Sequence, residues 1–183
     1  MNNTLKRELI KMRDADLATR ERLAGRGELR ENAYHPEMRA LHERHNRRIR
    51  AIIAAFGWPG TSLVGEEGAE AAWLLLQHAV LDPELQALSI GLLQEAVQCG
   101  EAPGWHLAYL EDRVCIHQGR LQRYGTQHGL DGEGHMQPLP MEQPEAVDER
   151  RASVGLPPLA EHTRVLQRDY ERVKAAQAAQ TQQ

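Results

Sequence analysis

The chain has 183 residues, 41% of them hydrophobic and 4% aromatic, so aliphatic side chains must build most of its core. That composition favours helices over strands, and the length suits one domain with a sizeable core. The formal net charge is −4, which argues against a dedicated nucleic-acid-binding protein.

Cysteine use and hydropathy bear on the compartment. The two cysteines, Cys99 and Cys115, lie far apart, and the first residues lack the hydrophobic run of a secretory signal. No stretch approaches the roughly 20 apolar residues that a membrane-spanning helix needs. We therefore expect a cytoplasmic protein with reduced thiols and no membrane contact.

Charge is unevenly distributed along the chain. Four arginines crowd residues 44–50, whereas residues 51–112 contain nine acidic side chains and no Lys or Arg. Two interpretations are open: the basic segments cover the acidic centre within the fold, or the arginines attract an anionic ligand. A small polar or anionic molecule is therefore the expected partner, and a homodimer is left open.

Two amphipathic helices are predicted before the first strong turn signal. The apolar stripe of the first, over residues 4–24, consists of Leu5, Leu9, Met12 and Leu17. The stripe of the second, over residues 36–56, consists of Met38, Leu41, His45, Ile49 and Ile52 or Ile53. His42 and Asn46 lie on or beside that second stripe.

A turn at Gly57-Trp58-Pro59-Gly60 separates these helices from a third. Residues 66–80 are apolar nearly all round, which is typical of a central, buried helix. Glu66 and Glu67 occupy its first turn, where their charge excludes a phosphate-binding loop. The helix ends in Gln77 and His78, where more leucine would be expected.

Side chains four residues apart near this end are predicted to share a face. If helical geometry continues through Leu81, His78 and Asp82 face the same way. Trp73 and Gln77 form a second such pair. The end of the central helix is therefore the predicted wall of a site.

The rest of the chain is also predicted to be mainly helical. Further helices are expected over residues 83–99, 105–116, 144–151 and 159–173. Glycine-rich polar residues near 120–140 predict a small extended element or β-hairpin. The predicted fold is a mainly α, single-domain bundle of about six helices over residues 1–173, followed by an Ala/Gln tail, 174–183, that frays.

Several short motifs are spread over residues 5–165. They are Gly57-Trp58-Pro59, Ser62-Leu63-Val64-Gly65, Ala72-Trp73-Leu74, Gln77-His78-Ala79, Asp82-Pro83, Tyr109-Leu110, Asp112-Arg113-Val114, Tyr124-Gly125-Thr126-Gln127, Val147-Asp148, Arg150-Arg151 and Gly155-Leu156-Pro157. In their combination the chain resembles an uncharacterised bacterial family that is defined by sequence. The resemblance implies no particular activity.

Nine histidines and many carboxylates raise the question of a metal site. Candidate ligands are His78 and Asp82 at helical spacing, completed by Asp112, His117 or His128, and the pair His42 and His45. The chain contains neither His-Glu-x-x-His nor Cys-x-x-Cys. We therefore assign no metal site from the sequence, and the cofactor is left unknown.

The preferred hypothesis is a cytosolic enzyme that acts on a small molecule by acid–base chemistry. His78 is the candidate acid/base, and Asp112 or Asp82 is the carboxylate that would orient it. Arg113 is the candidate anion clamp, since a guanidinium binds a carboxylate or phosphate through two hydrogen bonds. The remaining candidate ligand contacts are Trp73, Gln77, Tyr124 and Gln127. The predicted pocket lies between the central helix and the 120–140 element.

A non-enzymatic alternative explains the same polar residues. They would form a buried hydrogen-bonded network that pins the extended element onto the helices. The chain would then be a ligand-binding or protein-binding helical module. An exposed apolar patch on the 83–99 helix would support a protein partner.

Overall fold

The structure, a computed structural model, describes residues 1–29 and 33–181. The α helices within these residues are α1 (Asn3–Gly25), α2 (Pro36–Phe56), α3 (Thr61–Gln77), α4 (Pro83–Gln98), α5 (Gly104–His117), α6 (Val147–Ser153) and α7 (Leu159–Thr181). Two short strands, β1 (His128–Leu130) and β2 (Met136–Pro138), pair antiparallel between α5 and α6. The predicted mainly α fold with a small hairpin is confirmed, with seven described α helices where about six were expected.

The chain divides into two compact units, Met1–Ala102 and Pro103–Gln183. The first contains α1 to α4, and the second contains α5, the hairpin, α6 and α7. Each unit buries its own apolar side chains. Those of the first include Leu9, Leu23, Ile52, Val64, Leu75 and Leu93, and those of the second include Ala108, Leu110, Val114 and Val147.

In the first unit, α1 packs against α2 and α3. Its buried stripe differs from the predicted one, because Leu17 is 43% exposed whereas Asp16 is fully buried. Asp16 lies seven residues after Leu9 and seven before Leu23, both of which are also fully buried. Positions seven apart share a helix face, so a carboxylate occupies a core position of α1.

Helix α3 is interrupted at Gly65, so its regular part is shorter than its full range. Gly65 has φ 70° and ψ 167°, a left-handed conformation that disfavours any residue with a Cβ. Regular helix therefore begins at Glu66, as predicted, but it ends at Gln77 rather than near residue 80. Buried Gln86 of α4 stabilises that end, since its side-chain amide donates to the carbonyl oxygens of Leu76 and Gln77.

The second unit is organised around the segment between α5 and the hairpin. In the hairpin, His128 pairs with Pro138 and Leu130 pairs with Met136. Gly125, at φ 66°, lies so close to α7 that a Cβ there would meet Leu159 Cδ1 at 2.9 Å. The predicted extended element near 120–140 is therefore a true strand pair, held next to the first turn of α7.

The final helix is longer than the predicted 159–173, since α7 runs to Thr181. It includes most of the segment that was expected to fray. Gln182 and Gln183, the end of that predicted tail, lie outside the described residues. None of the helices in residues 1–29 and 33–181 has the length and apolar character required to cross a membrane.

Candidate functional site

A buried carboxylate on α1 holds two histidines in the first unit. His42 Nε2–H donates to Asp16 Oδ2 at 2.6 Å, and His78 Nδ1–H donates to Asp16 Oδ1 at 2.8 Å. Asp16 is fully buried, whereas the His78 side chain is 25% exposed. The two imidazole ring centroids are 5.8 Å apart. We call Asp16, His42 and His78 the His–Asp–His centre.

Three elements position this centre. Asp16 occupies the core stripe of α1, and His42 lies on the buried face of α2 between Leu41 and His45. His78 is the residue that follows α3, and its backbone N–H still bonds the Leu74 carbonyl at 3.0 Å. The termination of α3 at Gln77 therefore places the His78 ring against Asp16.

Tyr34 extends the centre towards solvent. Its hydroxyl hydrogen bonds His42 Nδ1, the ring nitrogen that does not contact Asp16. Tyr34 and His42 line a cavity of about 170 Å³, whose other lining residues are Arg20, Leu29, Ala33, His35 and Met38. Tyr34, His42 and Asp16 thus form a continuous hydrogen-bonded path from this cavity to His78.

Burial and hydrogen bonding have opposite effects on the pKa of the Asp16 carboxyl. Burial raises the pKa of its carboxyl, but the bonds from His42 and His78 outweigh burial and hold that pKa well below its ordinary value. Asp16 is therefore ionised near neutral pH, and an ionised carboxylate only accepts hydrogen bonds. Burial, followed by the charge of Asp16, raises the pKa of Tyr34, so that its phenol stays protonated.

These charges assign the proton positions. A neutral His78 carries its proton on Nδ1 and has a lone pair on Nε2. A neutral His42 carries its proton on Nε2, and its Nδ1 accepts the Tyr34 O–H. A carboxylate that holds one imidazole N–H also stabilises the imidazolium formed when the other nitrogen takes a proton. The geometry therefore suits proton transfer through His78 Nε2.

The same three side chains have the chemistry of a metal site. One donor atom from each lies within 4.8 Å of the other two. Two imidazoles and a carboxylate suit Zn²⁺ or Fe²⁺. Zinc bonds of about 2.0–2.2 Å separate tetrahedral ligands by about 3.3 Å, so the two His–Asp contacts would open by about 0.5–0.7 Å.

The predicted site residues of the first unit take different positions. Asp82, expected beside His78, begins α4: it caps Leu85 N–H and binds Arg50 through both oxygens, with Nε to Oδ2 at 2.7 Å. The carboxylate that contacts His78 is Asp16 instead. Gln77 is buried and Trp73 is partly buried, both on the last two turns of α3.

The predicted site residues of the second unit surround one loop. The Asp112 carboxylate accepts from the backbone N–H groups of Arg123, Tyr124 and Thr126, and from the Thr126 hydroxyl at 2.9 Å. The Gln127 side chain donates to the same hydroxyl oxygen at 3.1 Å. Arg113 is half-buried on α5, and burial lowers its pKa.

Four fully buried polar residues were not among the predicted site residues: Asp16, Gln86, Gln122 and Arg151. Gln122 donates to the carbonyls of Gln127 and Leu139, and Arg151 donates to those of Tyr124 and Pro157. Of these residues, only Asp16 could have been found from the sequence, because its seven-residue spacing from Leu9 and Leu23 indicates a core position. Gln122 and Arg151 satisfy loop carbonyls that no sequence period reveals.

We compared the chain with curated proteins, solved structures and protein-family models. No curated protein and no solved structure matches the chain. One family model matches residues 3–174, which is nearly the whole length, and the predicted membership of an uncharacterised family is thereby confirmed. The chain belongs to DUF6624, a family of unknown function.

Proposed function

We propose that the protein is an enzyme acting on a small polar molecule by acid–base chemistry at the His–Asp–His centre. The observation that carries the proposal is the contact of His78 Nδ1 with the buried, ionised Asp16. That contact fixes one tautomer of a side chain that is itself partly exposed. This refines the sequence hypothesis, since Asp16 replaces Asp82 and Asp112 as the orienting carboxylate.

In the proposed reaction, His78 Nε2 takes a proton from the bound substrate. The resulting imidazolium is stabilised by Asp16, whose negative charge lies at the opposite ring nitrogen. His78 then returns the proton to the product or to water. His42 holds the second carboxylate oxygen, and Tyr34 holds His42 through its other ring nitrogen, so Asp16 stays oriented.

A turnover screen tests this proposal. Purified protein is incubated with a library of small polar metabolites and monitored by mass spectrometry, beside His78→Gln, Asp16→Asn and the control His135→Gln. His135 lies in an exposed turn of the hairpin, where it pairs with Asp131. We expect any turnover to fall about 10²–10⁴-fold in the first two variants and to persist in the control. Turnover that survives His78→Gln contradicts the proposal.

A metal centre is the second candidate, favoured by the convergence of donor atoms from Asp16, His42 and His78. Asp16, His42 and His78 would then hold the ion, which would supply Lewis acidity in place of proton transfer by a free His78. In that case the Tyr34 oxygen would accept His42 Nδ1–H and so orient the ligand. Elemental analysis and Zn²⁺ titration of chelator-treated protein decide between the two: stoichiometric metal that is lost in His42→Gln supports the metal centre.

The non-enzymatic alternative draws support from the second unit. The hydrogen bonds of Asp112, Gln122 and Arg151 all tie backbone of residues 122–139 and 157 into one network. Such a network can fix a unique loop conformation without any chemistry. A binding module would show specific retention of a ligand or a second copy with no turnover in the same screen.

A further inference from the structure

A second cavity in the first unit lies along α2, beside the loop that joins α3 to α4. Its volume is about 280 Å³, just below the range of about 300–1,000 Å³ typical of small-molecule sites. It is lined by Arg39, Glu43, Asn46, Arg47, Arg50, Leu81 and Asp82. Its size suits a compact molecule rather than a nucleotide or a polymer.

The side chain of Asn46 forms part of the lining of this cavity. Asn46 is only 6% exposed, yet its side chain makes no hydrogen bond to any described residue. The amide nitrogen and oxygen themselves are not shut off from solvent, so they are open to the cavity. The amide of Asn46 therefore offers two N–H donors and a carbonyl to whatever enters the cavity.

The walls carry an excess of positive charge. Three arginines face two carboxylates, and the Asp82 carboxylate is already bound by the Arg50 fork. Glu43 is the one carboxylate of the cavity that has no ion pair among the described residues. Arg39 and Arg47 are exposed and also have no ion pair there, although Arg39 lies over the Tyr34 ring at 5.6 Å. Two guanidinium groups of this lining thus have no ion pair among the described residues.

We infer that this cavity binds a small oxyanion, a phosphate-bearing or carboxylate-bearing molecule, through the Asn46 amide and the guanidinium groups of Arg39 and Arg47. Guanidinium groups bind such oxyanions through paired hydrogen bonds. Two arginines of the run at residues 44–50 line the cavity: Arg47, and Arg50, which is held by Asp82. Asn46 lies one helical turn beyond His42, next to the His–Asp–His centre along α2.

We take the bound oxyanion to be the charged group of the substrate. This identification rests on the proposed function. If Arg39 and Arg47 bind the anionic group of the substrate, the rest of the substrate lies close to the neighbouring turns of α2. The oxyanion site itself requires no catalysis, because its lining does not include His78 or Asp16.

Binding of inorganic phosphate, and of malonate as the carboxylate probe, tests the inference by amide and guanidinium NMR on the full chain. We expect saturable, single-site shifts of the Asn46 side-chain amide and the Arg47 Nε–H group. Arg47→Ala should weaken binding about tenfold, and Arg47→Lys, which keeps the charge but loses the fork, nearly as much. The preferred probe shows which oxyanion geometry the site takes.

Two further variants and a control distinguish specific binding in the cavity from non-specific binding and from the proposed reaction. Asn46→Asp has the same shape but places a negative charge in the cavity lining, so it should abolish binding without unfolding the chain. Arg44→Ala removes an exposed arginine of the same helix that does not line the cavity, and binding should be unchanged. Shifts that are non-saturable, or equal in Arg44→Ala and Arg47→Ala, would overturn the inference. Phosphate binding that persists in His78→Gln separates this result from the fate of the proposed reaction.

Discussion

Asp16 and His78 lie 62 residues apart in the sequence and 2.8 Å apart in the fold, with Asp16 Oδ1 accepting from His78 Nδ1. The same carboxylate accepts from His42 through its other oxygen. A buried charge needs such partners, since desolvation is otherwise costly. The pairing thus explains both why Asp16 can sit in the core and why both imidazoles have fixed orientations.

Replacing Asp16 with Asn should destabilise the first unit by about 3 kcal/mol. The amide has the same shape but loses two charge-assisted hydrogen bonds, each worth about 1.5–3 kcal/mol. Urea denaturation followed by circular dichroism measures the loss. Asp14→Asn is the matched control on the same helix: Asp14 is exposed and pairs with Arg13 at the surface, so less than about 1 kcal/mol is expected.

The stabilisation from Asp16 also depends on pH. Its folded-state pKa lies below the ordinary value, so the contribution is present above about pH 4 and is lost as pH falls through the folded-state pKa. Wild-type and Asp16→Asn proteins should therefore converge in stability under acid. Curves that stay parallel down to the acid transition would contradict the assigned charge of Asp16.

Replacing Asp112 with Asn should destabilise the second unit by about 3 kcal/mol. An amide NH₂ in place of one oxygen would face backbone N–H donors of residues 123–126, leaving donors unsatisfied. Thermal melting detects the loss, with Glu149→Gln on α6 as an exposed control. An Asp112→Asn protein as stable as the wild type would contradict this structural role of Asp112.

Gly125 and Gly119 offer a matched pair of substitutions to Ala. Both have positive φ, 66° and 68°, so each variant should lose about 1 kcal/mol from backbone strain. Only at Gly125 does the new Cβ meet a neighbour, Leu159 Cδ1, which adds about 1–3 kcal/mol of overpacking. Equal losses of unfolding free energy in the two variants would count against the close approach of this loop to α7.

Two histidines should make the second unit sensitive to mild acid. Burial lowers the pKa of His106 to about 4, and burial with nearby positive charge lowers that of His162 to about 4. Because the unfolded chain binds these protons near pH 6.5, stability should be full above that pH and decline as pH falls towards 4. His106→Gln should reduce the slope of unfolding free energy against pH by up to about 1.4 kcal/mol per pH unit. An unchanged slope would exclude His106 as a source of the acid sensitivity.

Sequence periodicity predicted most of the fold because apolar residues recur every three to four positions along α2 and α4. It placed the start of α4 at Pro83 and the hairpin within residues 120–140, and both are confirmed. It failed at the end of the central helix, where His78 follows α3 instead of continuing it. Apolar composition alone does not mark that end, since buried Gln86 stabilises it from another helix.

The candidate site was only half predictable. His78 stood out as a polar residue at the end of an apolar helix, and His42 as a polar residue on a buried stripe. Asp16 was missed because an acidic residue is normally assigned to the surface, and Leu17 beside it was the more apolar choice. Its partners come from residues 42 and 78, and only the packing of α1 against α2 and α3 brings them to it.

The most direct test of the His–Asp–His centre is nitrogen-15 NMR of the imidazole rings in chelator-treated protein at neutral pH, with His78→Gln used to assign the signals. We predict that His78 carries its proton on Nδ1, that this proton is protected from exchange, and that Asp16→Asn abolishes the protection. A His78 ring protonated on Nε2, or one whose signals are unchanged in Asp16→Asn, would show that Asp16 does not hold His78 Nδ1–H.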